Sequence, residues 1–411
     1  MRIFDLSVCS VYPPLSGGTN RIFSINSEIS KKCYVFQFAL IPSEYVYISK
    51  ASLVGHALRS FREGSAQFLG RSRMIQINEK YTQFTHGNVL FLILGRLASR
   101  KDLPEFVPPL LDRRSLQVAR REIRHCDLVQ IETPWPFDWV LNNTPKSKPM
   151  VLVEHDVVYR LYKGVCTDRV LQVIREKEQR AVERADAILV VSYEDQEALC
   201  EEYCVDRTKV HIVPHGIDTS RVKPPSEAER AESKARFGFS EKIVVLFTGC
   251  THFPNIAAVE AIHSIASQVK DEKIVFVIAG SVGERVRQRQ VPNVRYTGYV
   301  NEIEPYFRMA DIGINPITSG GGTNTKMIEY LANGLPVVTT VFGSRGIDLE
   351  DGKHAIVSDI GQFPDMIVDL ARNQQTRTRL GEEGRRLIEN HYDWKVIVRK
   401  IWDVYEALVG N

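Results

Sequence analysis

Lys326 and Glu329 stand three residues apart in a short amphipathic stretch that follows Gly320, Gly321 and Gly322. Glycines in such a loop let the backbone approach a ligand closely. A loop that feeds a helix also presents unpaired N–H groups and the positive end of the helix dipole, which together favour an anion. Lys326, in the first turn, adds a mobile positive charge. Glu329 falls about 6–8 Å in from the helix end at 1.5 Å per residue, roughly the span from a pyrophosphate to a ribose hydroxyl. The chemistry predicted is capture of a nucleoside diphosphate, with phosphates on Gly320–Gly322, Thr323, Asn324 and Thr325 and sugar hydroxyls on Glu329. The plainer alternative is an i,i+3 surface pair beside an ordinary turn. No G-x-x-x-x-G-K-[ST] spacing is present, so a Walker-type loop is excluded.

These residues need a strand, a helix and a second strand to hold them. Ile312, Ile314 and Ile317 read as the first strand. Thr323, Asn324 or Thr325 can cap the helix, whose Met327, Ile328, Leu331 and Ala332 share one face, with Lys326, Glu329 and Tyr330 off it. Asn333-Gly334 stops it and Pro336-Val337-Val338 opens the next strand.

A second group of candidates lies earlier. Asp127 to Glu132 reads as a strand ending in an acid, followed by the aromatic loop Trp135-Pro136-Phe137. Val151-Leu152-Val153 runs straight into Glu154-His155-Asp156, whose two acids could orient the histidine. Ligands of open α/β sheets bind beyond the carboxyl ends of strands, which places Glu132 and His155 where chemistry occurs. Ile3 to Val11 reads as the first strand, with Ser16-Gly17-Gly18 as a loop into a helix over about Arg21 to Ile29. No G-x-G-x-x-G is present, so this is not a dinucleotide fingerprint. A later series starts with a strand at Ile243–Phe247, a turn at Thr248-Gly249, a helix from Asn255, and strands at Ile274–Ala279 and Val294–Tyr296. Alternating strands and helices predict α/β architecture in two Rossmann-like, doubly wound domains.

The run G-G-G-T-N-T-K-M-I-E-Y-L-A-N-G-L-P-V-V-T-T resembles the donor-site signature of retaining glycosyltransferases of family 4, and within it the surface-polysaccharide branch, which carries a glycine-rich stretch and a lysine here. Many members have two glutamates seven residues apart; here the second is Glu329 and the first position is Gly321. Many also carry an arginine and a lysine after the turn matching Thr248-Gly249, where this chain reads Cys250-Thr251-His252-Phe253-Pro254-Asn255, which raises the load on Lys326. The resemblance implies the GT-B fold, its domains facing across a cleft, and a C-terminal helix crossing back to the first domain. Domains are expected at 1–215 (acceptor), 216–385 (donor) and 386–411 (returning helix).

The implied activity is transfer of a sugar from a nucleotide-diphosphate donor to a saccharide or polyprenyl-linked acceptor, in cell-surface glycan synthesis. It implies catalytic roles for His155, Lys326 and Glu329. Donor contacts are expected at Gly17, Gly18, Gly249, Gly298, Tyr299 and the 320–325 loop, and acceptor contacts at Arg21, Glu132 and Trp135. The Gly298-Tyr299-Val300 stretch, with Tyr306-Phe307 and Ala310-Asp311, resembles the segment that clasps the base. No metal or resident cofactor is expected, because lysine, loop amides and helix end can meet the phosphate charge. A nucleotide-sugar epimerase of the same fold and a non-catalytic nucleotide-sugar-binding protein are the alternatives.

The 411 residues suit two domains of about 200 residues each. No apolar run approaches the ~20 residues of a membrane span, and Asp5 argues against a secretory signal. Seven scattered cysteines argue against a disulfide framework, and Cys200 with Cys204 lack a second pair to complete a metal site. A cytoplasmic protein is expected. Net charge is +3 but uneven: residues 1–150 hold 20 Lys+Arg against 12 Asp+Glu, and the remainder 33 against 38. Arg113, Arg114, Arg120, Arg121 and Arg124, and a second group at Arg59, Arg62, Arg71 and Arg73, suit an anionic membrane surface at the inner face of the plasma membrane, or a solvated helix face. No nucleic-acid motif accompanies them.

Overall fold

The computed structural model describes residues 1–14, 16–41, 72–87, 111–284, 286, 291–320 and 323–410. Gly321, Gly322, Arg59, Arg62 and Arg71 lie outside these. The chain forms two units, one of Met1–Val213 with Val398–Asn411, the other Pro214–Ile397.

The first unit holds a sheet in the order β3-β4-β2-β1-β5-β6-β7-β8, with strands β1 Arg2–Cys9, β2 Tyr34–Ile41, β3 Arg73–Asn78, β4 Tyr81–Thr85, β5 Leu128–Ile131, β6 Met150–Glu154, β7 Ala187–Val190 and β8 Val210–Ile212. All neighbours are parallel except the β3–β4 hairpin. Alternation along β1 sends Phe4 and Leu6 into an apolar core with Phe38, Val129, Ile131 and Leu152. The opposite face is polar in its middle. Gln83, Gln37, Asp5 and Gln130 sit side by side in register across four strands, all buried. Strand β1 ends at Cys9, two residues short of Val11, because the Val11 and Tyr12 N–H groups donate to Gln83 Oε1 (3.0 and 2.9 Å) and not to a ladder.

The second unit holds a six-stranded parallel sheet in the order β11-β10-β9-β12-β13-β14: β9 Ile243–Thr248, β10 Ile274–Ala279, β11 Val294–Gly298, β12 Ile312–Asn315, β13 Val337–Thr339 and β14 Ile356–Val357. Its continuous Val and Ile runs suit strands covered on both faces. One face packs Phe247, Ile278, Ile314 and Val338 with Ile262 and Ile367, the other packs Leu246, Val277 and Val337 with Met327 and Leu331. Strand order reverses between β9 and β12, the switch point at whose carboxyl ends such sheets bind ligands.

Candidate active site

Around that switch point the second unit forms a pocket of about 490 Å³. Thr248 to Cys250 after β9, Gly280-Ser281 after β10, and Ile317, Ser319 and Gly320 after β12 line it, with Lys326 and Glu329 from the helix Thr325–Ala332. The loops after β9 and β10 touch backbone to backbone. Gly280 has φ +107°, and a Cβ there would stand 2.3 Å from the Gly249 carbonyl oxygen, so both the conformation and the contact require glycine.

The helix begins with no side-chain cap: Asn324 occupies the capping position but makes no capping hydrogen bond. The Thr325 and Met327 N–H groups donate to the Thr323 and Asn324 carbonyls, both at 3.0 Å, and with no capping side chain there the positive end of the helix dipole is left to favour an anion. Lys326 Nζ donates to Asn255 Oδ1 at 2.9 Å and stands 3.8 Å from the centroid of the Phe247 ring. Crowding by the protein lowers the Lys326 ammonium to about 7, opposed by the nearby charges of Glu329 and Cys250. Crowding likewise raises the Glu329 carboxyl to about 7, opposed by Lys326. Glu329 is exposed and Lys326 half-buried on the pocket side, so the desolvation comes from the protein packed behind them. The lowered value leaves part of the Lys326 population neutral near neutrality, and an arriving diphosphate favours its charged form.

Tyr330 departs from the helical-wheel expectation. It is wholly buried, and its hydroxyl accepts the Thr248 N–H at 2.9 Å. An eight-residue helix wedged between sheet and neighbouring helices buries more than one face, and Tyr330 uses that to tie the helix to the end of β9. Arg345 lies outside the glycine-rich run and was not foreseen. A turn at Gly346 (φ +77°) brings it into the pocket wall, where Nη1 donates to the Gly320 carbonyl at 3.2 Å and the guanidinium stacks on Phe342. It places a second cation beside the loop, the role that the Cys250–Asn255 stretch lacks. Asn255, from the helix Phe253–Gln268, was likewise missed as the partner of Lys326.

Of the other expected donor contacts, Gly249, Gly320, Thr323, Asn324, Thr325 and Tyr299 line the pocket. Gly298 (φ +65°) turns the chain so that Tyr299, 70% exposed, reaches its rim. Asp311 does not take part in a base clasp. It lies at the amino end of the sheet, bound to Lys234 and the Val244 N–H, while Phe307 is buried against Tyr330. Gly17 and Gly18 form the first turn of the helix Gly17–Ile29 and not a loop before it, because Ser16 and Thr19 close a capping box. Both are exposed, and no atom lies within 4 Å of an added Cβ.

In the first unit the structure joins His155 to Glu132, Nε2 to Oε2 at 2.9 Å, and not to the acids flanking it in sequence. Glu154 turns into the interior, where burial and Glu178 raise its carboxyl well above the ordinary range. Burial lowers His155 to about 3, although its side chain keeps 22% exposure at one edge, so the imidazole is neutral. Its Nδ1 has no hydrogen-bond partner among the described residues.

Glu132, Arg21 and Trp135, expected to touch an acceptor, are interior residues. Glu132 is buried and accepts from Gln130 Nε2, whose Oε1 accepts from the Tyr405 hydroxyl. Arg21 is 1% exposed and donates to the Val213 carbonyl at 2.6 Å; burial lowers it to about 10 while Glu132 opposes the shift. Burial raises Glu132 to about 7 against the pull of Arg21. Trp135 packs on Val170 and Ile174. Glu132 and Arg21 set the electrostatic surroundings of His155, and all three residues are buried.

The loops after β9, β10 and β12 and the lysine-bearing helix with no side-chain cap thus meet at the switch point of the second unit. Residues 81–221 match the family described as Glycosyltransferase Family 4, and residues 242–373 match Glycosyl transferases group 1. The chain belongs to glycosyltransferase family 4. Among family relatives, mannosylfructose-phosphate synthase of Agrobacterium fabrum is 23% identical over 241 residues, 54% of this chain and 53% of that protein. Spore coat protein SA of Bacillus subtilis is 25% identical over 49% of this chain and 59% of its own length. The chain thus spans little more than half of these curated relatives. Among solved structures, Anabaena Alr3699/HepE in complex with UDP superposes with a TM-score of 0.68 at 13% identity, covering 99% and 100% of the two chains. WaaG, a glycosyltransferase involved in lipopolysaccharide biosynthesis, gives 0.61 at 12% identity with full coverage of both chains. The fold is GT-B.

Proposed function

We propose that this family 4 protein transfers a sugar from a nucleotide-diphosphate donor to a saccharide or lipid-linked acceptor with retention of configuration, in the synthesis of a cell-surface glycan. The observation that carries the reading is the meeting of Lys326, Arg345, an uncapped helix start and Glu329 in one pocket at the switch point. The diphosphate lies at the helix start and the ribose hydroxyls on Glu329. As the sugar departs, charge grows on the diphosphate, and preoriented cations and N–H donors stabilise it. Glu329 is the one carboxylate among the described lining residues, and with it engaged by ribose, no carboxylate base is left among them. That suits a front-face route in which the donor phosphate itself assists the acceptor. His155, neutral with one edge open, is suited to contact the donor sugar or the acceptor. Protein cations meet the phosphate charge, so activity is expected to persist in EDTA.

UDP and UDP-glucose bound to the Anabaena protein, and the GDP-mannose-dependent relative of Corynebacterium glutamicum, set the first donors to try. Incubation of UDP-glucose or GDP-mannose with polyprenyl-phosphate-linked saccharides should give a product whose new linkage keeps the donor's anomeric configuration by NMR. Epimerised donor without any acceptor, or tight donor binding with no transfer to any lipid or saccharide extract, would overturn the proposal.

A further inference from the structure

A second cavity, of about 500 Å³, opens in the second unit at the amino ends of β9, β12 and β13, where Ile243, Asp311 and Pro336 line it. It therefore lies at the opposite strand ends from the donor pocket. Its walls come from the helices Glu227–Arg236 and Gln374–His391, and most of their charges are committed to one another. Lys234 pairs with Asp311 at 2.6 Å and donates to the Lys242 carbonyl at 2.9 Å; the Val244 N–H donates to Asp311 at 2.7 Å. Arg385 pairs with Glu389 at 2.7 Å and donates to the carbonyls of Thr219, Val222 and Ala332. Glu382 faces Arg386 at 3.8 Å, and Glu227 accepts from Gln374 at 3.3 Å.

Arg230 and Arg377 are left over. The Nε of Arg230 is buried with no hydrogen-bond partner among the described residues. Arg377 directs Nη1 to the carbonyls of Leu370 and Ala371, and it forms no ion pair among the described residues. Burial holds the Arg377 guanidinium below its ordinary value; Asp311 opposes that, and the like charge of Arg230 adds to it. Two guanidiniums that line one cavity from two helices, the Nε of Arg230 unpartnered and Arg377 outside any ion pair among the described residues, match an oxyanion that accepts from both forks.

We infer that this cavity binds a soluble phosphate-bearing small molecule, its phosphate held between Arg230 and Arg377. The volume exceeds that of one phosphate and leaves room for a sugar-sized remainder. None of the large exposed apolar side chains of the described residues lines it, which favours a soluble ester over a lipid head group.

The test is calorimetric titration of glucose 6-phosphate, inorganic phosphate and unphosphorylated glucose into wild type, Lys326→Ala and the double variant Arg230→Gln/Arg377→Gln. Wild type and Lys326→Ala should bind both phosphates alike, glucose should give no binding heat, and the double variant should bind at least about tenfold more weakly, the loss of one or more charge-assisted bonds. Should the double variant fold poorly, crystals of wild type soaked in tungstate must show the anion between the two guanidiniums. No saturable binding by wild type, binding lost in Lys326→Ala but kept in the double variant, equal heat from glucose, or tungstate elsewhere would each overturn the inference.

Discussion

Among the described residues, Lys326 is one of two cations that line the pocket in which the proposed reaction places the departing diphosphate. Lys326→Ala should lower turnover by roughly 10²–10³, as loss of one transition-state donor does, with little effect on folding; an unchanged rate removes it from the chemistry. The sign of its titration gives an independent check. Its pKa stands at about 7 in the free protein, so above pH 7 it is largely neutral. A bound diphosphate raises that value, and binding at pH 8 must therefore take up a proton. Calorimetry in buffers of different ionisation enthalpy should show the uptake in wild type and not in Lys326→Ala. In the first unit, Glu132→Gln keeps the size and one hydrogen bond of the group facing His155 but removes its titration at about 7. Turnover should fall and its dependence on pH around 7 should flatten, whereas an unchanged pH profile would limit Glu132 to packing. The placement of Lys326 and Glu329 on a short helix and of His155 just beyond a strand end was legible because those element ends could be read from pattern. Arg21 and Glu132 were misplaced toward solvent, since nothing in their local sequence shows that Asp5, Gln130 and Tyr405, distant in the chain, enclose them. Arg345 was missed because it comes from a turn beyond the next strand.

At the scale of elements, the pocket depends on loops that press against each other without side chains between them. Gly280→Ala puts a Cβ against the Gly249 carbonyl at a positive φ. It should destabilise the second unit by roughly 2–4 kcal/mol and weaken donor binding through the displaced β9 loop. A melting temperature within a degree of wild type would mean the loops separate easily. In the second sheet β9 and β10 were readable almost to the residue, because Ile243–Thr248 and Ile274–Ala279 are apolar, β-branched-rich runs, whereas the two-residue β14 at Ile356–Val357 is too short to show in the pattern. The start of the helix at Gly17 was not, because two glycines read as loop and only the reciprocal Ser16–Thr19 bonds make them the first turn.

Across the whole molecule, charge is separated along the chain. The helix Arg113–His125 exposes Arg113, Arg114, Arg120, Arg121 and Arg124, with Arg120 held to Asn143 and Arg121 near Glu122. If this face meets a membrane, the protein should float with vesicles containing phosphatidylserine and release as salt shortens the ~8 Å Debye length of physiological buffer. Replacing Arg113, Arg114 and Arg124 by Gln should weaken binding by about fivefold per charge, at ~1 kcal/mol each; salt-insensitive binding, or none, returns the helix to a solvated face. No helix among the described residues is long and apolar enough to cross a membrane.

The central claim is that the Thr325–Ala332 helix holds a nucleoside diphosphate, with Glu329 on the ribose. A carboxylate accepting from ribose hydroxyls contributes about 1.5–3 kcal/mol, while an exposed i,i+3 pair is worth about 0.2–0.5. Calorimetric affinities of wild type and Glu329→Gln for UDP or GDP, in ribose and 2′,3′-dideoxyribose forms, close a double-mutant cycle on that contact. The account predicts about a tenfold or greater loss for the ribose form in Glu329→Gln, near-equal affinities for the dideoxy form, and an unchanged melting temperature. A coupling energy near zero would contradict it and take the donor off this helix.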